Sequence, residues 1–448
     1  MANEWPVLTV GELVNAGVLA RPMDGNHGGI HPKGNDFVDE GVPFIMASNL
    51  IDGRVDTQNC KFIAKAQADS LRKGVSVSGD VLLSHKATIG RTAIVGDIDT
   101  EYIMLTPQVT YYRVIDNGRL NNRYLKYYFD SAPFQSLFAA WAGGGSTRSY
   151  LGITGQLKLP VTVPPIEIQD FIANSLGRLD GKISVNRRIN EILEGMARTI
   201  FKAWFLDYEP VKAKAAGDTS FPGIPQAAFD QLPHTFVDSE LGVIPKGWKP
   251  IPIGDLVKVV GGGTPSTKKT EFWDGGDHPF CTPKDMSTLR SPILLDTDRH
   301  ITDAGVNKIS SGQLPSGTVL LSSRAPIGYL AIAWNPVSVN QGVIAMQTGD
   351  IPNIYILLWT EASMEVIKSR AGGSTFAEIS KNNFRPILAM RPDDTTLKVF
   401  SDVVNPMFEL IAANERESVV LQQARDILLP KLISGEVAVP VINGGGDG

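Results

Sequence analysis

Between Pro164 and Asp207 lies the segment IEIQDFIANSLGRLDGKISVNRRINEILEGMARTIFKAWFLD, and its periodicity constrains everything around it. The apolar residues Ile168, Ile172, Leu176, Leu179, Ile183, Leu193, Ile200 and Trp204 follow one another at three, four or sums of the two, one continuous stripe on a helix. At 1.5 Å per residue, about forty residues make a rod of roughly 60 Å, far longer than an ordinary globular helix. Such a rod needs a partner. The seven-residue component of the stripe suits a coiled-coil seam, and Asn186 and Asn190 break that seam with polar groups that fix register.

A partner exists in the same chain. Residues 393 to 433 repeat the pattern, with Phe400, Met407, Leu421 and Leu428 on one row and Val404 and Ile411 beside it. A shift of 228 positions lays Asn186 on Asn414, Pro164 on Pro392, and the segment Gly145, Ser146, Thr147 on Gly373, Ser374, Thr375. Upstream, a shift of 238 aligns GDVLLSHKATIG (79 to 90) with GTVLLSSRAPIG (317 to 328), and a shift of 236 aligns VPFIMASNL with HPFCTPKDM. Two copies with a period above 220 residues are two whole domains, each followed by a long helix.

The remaining organisation follows in order. Residues 1 to 165 alternate short strand-like runs with Gly, Asp and Asn turns and end in amphipathic helices, a mixed α/β domain. Residues 166 to 208 are the first long helix, and residues 209 to 245, rich in Pro, Gly and Ala, read as an extended linker with some ordered turns. Residues 246 to 392 are the second α/β domain, residues 393 to 433 the second long helix, and residues 434 to 448 a frayed tail. The expected fold class is therefore α/β (α+β), two similar mixed domains and an antiparallel coiled coil with an internal pseudo-two-fold. Pro406 falls inside the second helix, which predicts either a restart capped by Asn405 or a kink.

Composition excludes several classes. With 43% apolar and 20% charged residues the chain is not disordered overall. It has neither an apolar run of 18 residues nor a basic-then-apolar start, so the expectation is a soluble, cytoplasmic protein without a membrane partner. Cys60 and Cys281 are the only cysteines, at related places in the two copies, and read as buried free thiols. Net charge is 0 for residues 1 to 165 and for the first helix, minus 3 for the linker, plus 3 for residues 246 to 392 and minus 5 beyond. The acidity lies outside the domains, which leaves room for local basic patches on each.

The segments DSELGVIPKGW, GDVLLSHKATIG with its echo, the paired GGST motifs, PPIEIQDFI, AWFLDYEPVKAK and ILLPKLISGE occur in the order seen in one family. The chain resembles the specificity subunit of type I restriction-modification systems over nearly its whole length. The resemblance implies two target-recognition domains that read double-stranded DNA, no catalysis in this chain, and assembly with two methyltransferase (modification) subunits and with restriction (endonuclease/translocase) subunits. S-adenosylmethionine, ATP and Mg are then expected on those partners, with no cofactor here.

The residues agree with a chain lacking chemistry of its own. VPPI at Val163 and WNPV at Trp334 both fail the (N/D)PP(Y/F) pattern of amino-methyltransferases, and there is no GxxxxGK(S/T) phosphate loop. Pro392-Asp393 is the only Pro-Asp pair and lacks a following (D/E)xK. The six histidines show no paired metal spacing, and Asp24, His27 and His31 in MDGNHGGIHP read as a polar loop.

Candidate DNA contacts are the repeated basic pair Lys86 and Arg324, then Arg91 and Arg148 in the first domain and Lys268, Lys269, Lys284 and Arg290 in the second. Asn49 and Lys284, near matched strand ends, suit base readout. Ser146, Thr147, Ser374 and Thr375 in the GGST segments suit either a phosphate nest or a tight domain-to-helix connection. Phe201, Trp204, Phe205, Leu428, Leu429 and Leu432 are candidates either for docking the methyltransferase subunits or for packing on a domain. Two alternatives stand beside this reading: a fused pair of nucleic-acid-modifying enzymes, and a coiled-coil adaptor with protein- or carbohydrate-binding domains.

Overall fold

Both long helices form as their stripes require. In the computed structural model, which describes residues 5–143, 149–373 and 377–437, the first runs Ile166–Phe201 and continues as a π-helical turn over Lys202–Leu206, while the second runs Asp394–Ile433. Pro165 precedes the first helix, where a missing N–H costs nothing. Asp393 caps the second, accepting from the Thr396 N–H at 2.8 Å and from its hydroxyl at 2.7 Å. The second helix runs unbroken through Pro406, so Asn405 caps no restart.

The chain divides into two compact units, residues 1–181 with 421–448 and residues 182–420. Each unit thus contains one α/β domain and a length of both helices.

In the first unit a six-stranded sheet has the order Met23–Asp24, Val109–Tyr112, Val81–Lys86, Thr88–Ile94, Gly53–Val55, Leu50–Ile51. Beside it in the same unit, a five-stranded sheet carries Val42–Ile45 parallel to Ile103–Leu105. The helices Asn122–Asp130 and Ala132–Trp141 cover the first sheet with Tyr124, Leu125, Phe129, Phe134 and Phe138. Those aromatic side chains share one core with Ile168, Ile172 and Leu176 of the first long helix and with Leu429, Leu432 and Ile433 of the second. Asp180 and Arg425 join the two helices at 2.9 Å within this unit.

The second unit repeats the plan. Its five-stranded sheet has the order Lys258–Gly261, Val343–Gln347, Val319–Ser322, Leu330–Ala333, Ile293–Leu294, and its three-stranded sheet carries His278–Cys281 parallel to Ser338–Val339. The helix Asn353–Ala362 packs on the sheet together with Phe201, Trp204 and Phe205 from the first long helix and Phe400, Val404, Phe408 and Ile411 from the second. Asn186 faces Asn414 while Phe201 faces Phe400, so the two helices run antiparallel here.

Several expectations change. Residues 209–245 are not an extended linker. They form a helix over Glu209–Ala216, a short helix over Gln226–Phe229 and a hairpin of Phe236–Ser239 with Gly242–Pro245. Their Pro and Gly residues act as helix start (Pro210) and left-handed stop (Gly217, φ 95°), and Val211, Phe229, Leu232 and Ile244 reach the core of the second unit. The buried row of the second helix is Phe400, Val404, Phe408, Ile411 and Ala412, whereas Met407 and Leu421 lie at its edge and Leu428 is 36% exposed. Cys281 is buried in a strand at the place matched by Ile45, but Cys60 sits in a loop after Asn59, so the two cysteines are not equivalent.

Phe201, Trp204, Phe205, Leu429 and Leu432 are each less than a tenth exposed. This corrects the docking assignment for those five. An apolar side chain on a helix end is taken up by whatever sheet and helix lie against it, and here that is the domain of the same unit.

Candidate nucleic-acid interface

The duplicated strand and turn holding Lys86 and Arg324 folds in the same way in both units. Ser84 Oγ accepts from the Arg91 N–H at 2.8 Å, and Ser322 Oγ, 238 positions on, accepts from the Tyr329 N–H at 2.8 Å. Ala87 (φ 63°) and Ala325 (φ 56°) follow the basic residues in left-handed conformation, a strained setting for an alanine. That sharp reversal turns the basic side chain out of the sheet. Leu151 N–H bonds His85 O at 3.1 Å, and Ile379 N–H bonds Ser323 O at 3.0 Å, tying the residues after each GGST segment to the turn.

The two cations have different neighbours. Lys86 is exposed, with its Nζ 5.9 Å from the centre of the Tyr150 ring. Arg324 is half-buried and 3.6 Å from Glu378, which takes part of its charge.

A second pair of loops meets each turn. Gly25 lies against the strand end at Leu105, where a Cβ would stand 1.9 Å from the Leu105 carbonyl, and Gly262 lies against Val339, where a Cβ would stand 1.7 Å from that carbonyl. Only glycine permits this approach. In the first unit it brings His27 and His31 beside Lys86, Thr106 and Gln108 around a cavity of 330 Å³. In the second it brings Thr264 to Gln341, hydroxyl to side-chain carbonyl at 2.6 Å, close to Asn340 and Arg324 around Gly342.

Gln108, Thr264 and Gln341 escaped the sequence reading, which took His27 for part of a polar loop and not for a DNA contact. The signal was present, since Gly25-Asn26-His27 overlays Gly262-Gly263-Thr264 at a shift of 237. These are the donor and acceptor side chains that base edges require, placed beside a cation suited to phosphate. His27 is oriented by Asp24, 6% exposed, whose Oδ2 lies 2.8 Å from His27 Nε2. Burial pushes the imidazoles of His31 and His85 below their ordinary value, so both are neutral at pH 7.

The other candidates fall in several places. Arg91 is exposed and its guanidinium donates to the Ala47 carbonyl at 3.2 Å, on the same hairpin as Lys86. Asn49 is corrected: it is 8% exposed, its Oδ1 accepts from the Met46 N–H at 3.0 Å, and it closes a 3-10 turn instead of facing solvent. Its counterpart Asp285 does the same for Thr282. Lys284 is 80% exposed and 3.2 Å from Asp298. Lys268 is exposed, and Lys269 lies 3.2 Å from Glu271 on the same outer loop. Arg290 lines a different cavity, of 380 Å³, with Glu194, Arg198 and Glu361. Ser146, Thr147, Arg148, Ser374 and Thr375 lie outside the described residues. Among the described residues no group of three or more His, Cys, Asp or Glu could hold a metal ion, and no helix is long and apolar enough to cross a membrane.

A family model described as the type I restriction modification DNA specificity domain matches residues 3–194 and again 245–417. The MjaIX specificity subunit of Methanocaldococcus jannaschii is 36% identical over 191 residues, 42% of this chain and 44% of that protein, so the match spans less than half of the relative. The HindI specificity subunit of Haemophilus influenzae is 26% identical over 320 residues, 62% of this chain and 69% of that protein. The solved type I restriction-modification S subunit from M. genitalium shares the fold, with a TM-score of 0.56, 15% identity and 96% of each chain covered. With two copies of the duplicated unit matched and well over half of its length covered, this chain belongs to the type I restriction modification DNA specificity family.

Proposed function

We propose that this chain is the DNA-reading subunit of a type I restriction-modification complex, in which each α/β domain reads one half of a bipartite site. The observation that carries the proposal is the duplicated turn: a cation at Lys86 and at Arg324, projected by a left-handed alanine beside a loop of donor and acceptor side chains. Lys86, Arg91 and Arg324 contact phosphate, and His27, Gln108, Thr264 and Gln341 meet base edges. Lys268, Lys269 and Lys284 contribute to the second domain's field, and Ser146, Thr147, Arg148, Ser374 and Thr375, in and next to the GGST segments, are further phosphate contacts.

The side chains of the two loops differ, so the half-sites differ and the whole site is asymmetric. The long helices fix the unread gap between them and present the surface for two methyltransferase subunits, Leu428 being the remaining exposed candidate there. The chain itself is non-catalytic and cytoplasmic. Methyl transfer from S-adenosylmethionine, and ATP- and Mg-dependent cleavage by restriction subunits, belong to the partners.

Titrating duplex DNA with the chain and a methyltransferase subunit across a range of salt tests this. Phosphate contacts make log affinity fall linearly with log salt, by about 0.9 per contact. A flat profile would support an adaptor of protein or carbohydrate instead.

A further inference from the structure

In each unit one domain helix meets the long helices at an equivalent joint. Tyr124 Oη donates to the Thr162 carbonyl at 2.8 Å and Tyr355 Oη to the Met390 carbonyl at 2.5 Å, so the helix Asn122–Asp130 overlays Asn353–Ala362 at a shift of 231. The chemistry of the two joints differs. Around its cleft the second unit has Leu357, Leu358 and Phe408, all buried in one apolar core. At the matched positions the first unit has Lys126, Tyr127 and Asp180.

Lys126 is 7% exposed and stands between two carboxylates, 2.8 Å from Asp130 and 3.7 Å from Asp180. Asp180 also accepts from the Tyr127 hydroxyl at 2.7 Å and from Arg425 of the second long helix at 2.9 Å. Asp130 in turn accepts from the hydroxyl of Thr92, the neighbour of Arg91 on the hairpin that carries Lys86. Polar bridges thus run from the cationic hairpin, through one domain helix, to both long helices.

A fold that closes this joint with leucine and phenylalanine in one copy does not require buried charge in the other. Against apolar residues of similar size a buried ion pair contributes little net stability, because desolvation cancels most of its attraction. What it adds is direction, since charge-assisted hydrogen bonds hold one geometry where an apolar contact can slide. A cavity of 530 Å³ runs beside the joint, with Gly53, Gly177 and Gly181 in its lining, so side-chain packing does not fix the angle on that side.

We infer that Lys126 and Asp180 are positioning residues, which fix the angle of the first domain on the long helices and so restrict the unread gap to one length. The inference rests on the DNA-reading function proposed above. Changing the gap by one base pair moves a half-site by roughly 3.4 Å and turns it by roughly 35°. A domain locked on its helices cannot follow that displacement, and one on a yielding joint follows it in part.

The test returns the natural chain, Lys126→Leu and Tyr127→Phe to a host deleted for the gene, with its methyltransferase subunit expressed, and maps methylated adenines. Lys126→Leu installs the residue of the second unit and leaves Asp180 with Arg425 and Asp130 with Thr92. It is expected to methylate the same two half-sites at gaps one base pair longer or shorter as well. Preference for the natural gap should fall about ten-fold, the factor that one charge-assisted hydrogen bond is worth. Tyr127→Phe loses a single hydroxyl, should relax the gap to a smaller extent, and decides the matter should Lys126→Leu fail to fold. A joint that is merely structural would weaken methylation at every motif and keep the single gap, and that result overturns the inference. A natural chain that restores no methylated motif overturns the DNA-reading function itself.

Discussion

Asn186 donates from its side-chain amide to the backbone carbonyl of Asn414 at 3.3 Å, and the two stand 228 positions apart, the spacing that overlays the first helix on the second. The same amide reaches Glu417 at 2.8 Å, Asn414 donates to Asn190 Oδ1 at 2.9 Å, and Asn190 donates to Glu415 at 2.9 Å. All lie in the second unit and form a polar interruption between apolar layers. Asn186 and Asn190 are fully or nearly buried, so each lost partner leaves an unsatisfied group.

Asn414→Ala is therefore expected to destabilise the chain by about 1–3 kcal/mol, since it strands Asn190 Oδ1. Urea unfolding measures this. Replacing Asn190 and Asn414 together by leucine removes both ends of their mutual bond and so should cost less than the two single changes summed, while Glu415 loses its amide donor and register becomes less well fixed.

Phe205 packs edge-on against Tyr355 and Phe400 at 4.9 and 5.0 Å between ring centres and is 2% exposed. As a core residue, its replacement by alanine costs about 3–5 kcal/mol. As a docking residue it would leave stability unchanged and weaken only association with the methyltransferase subunit. Denaturation of the variant separates the two.

Equivalent clefts beside the long helices titrate in opposite directions. In the second unit burial raises Glu194 to about 7 despite Arg198 at 3.0 Å. A carboxyl raised on folding favours the native state while protonated, so that contribution fades between about pH 4.5 and 7. In the first unit burial opposes the charge on Asp180, but Lys126, Tyr127 and Arg425 outweigh it and hold the carboxyl below its usual range. Its contribution is present at neutral pH and lost in acid. Glu194→Gln should raise the melting temperature more at pH 8 than at pH 5.5, and Asp180→Asn should lower it more at pH 7 than at pH 4. Melting curves at paired pH values check both signs.

Lys86→Ala and Arg324→Ala should each reduce the slope of log affinity against log salt by about 1 on cognate and unrelated duplexes alike. The loss should be smaller for Arg324, whose charge Glu378 partly neutralises. Salt titrations of both variants decide it.

The sequence carried the duplication, both helices and the cationic turn, because each rests on periodicity or on identity at a fixed shift. It misled wherever the deciding factor was what lay across from a side chain. Trp204 and Phe205 look the same at a docking surface as in a core, and only the sheet of the second unit distinguishes them. Asn49 has the chemistry for base readout, yet its backbone turn consumes it. The linker's prolines and glycines marked caps and turns correctly, while Val211, Phe229 and Ile244, spaced too irregularly to form a stripe, anchor it to the core.

The central claim is that this chain selects one bipartite, asymmetric DNA site through its two domains. Mapping methylated adenines across the native genome, with the gene present and with it deleted, tests this most directly. The account predicts that methylation disappears at a single motif made of two unlike half-sites with a fixed gap. An unchanged map, with the partner genes expressed, would contradict it.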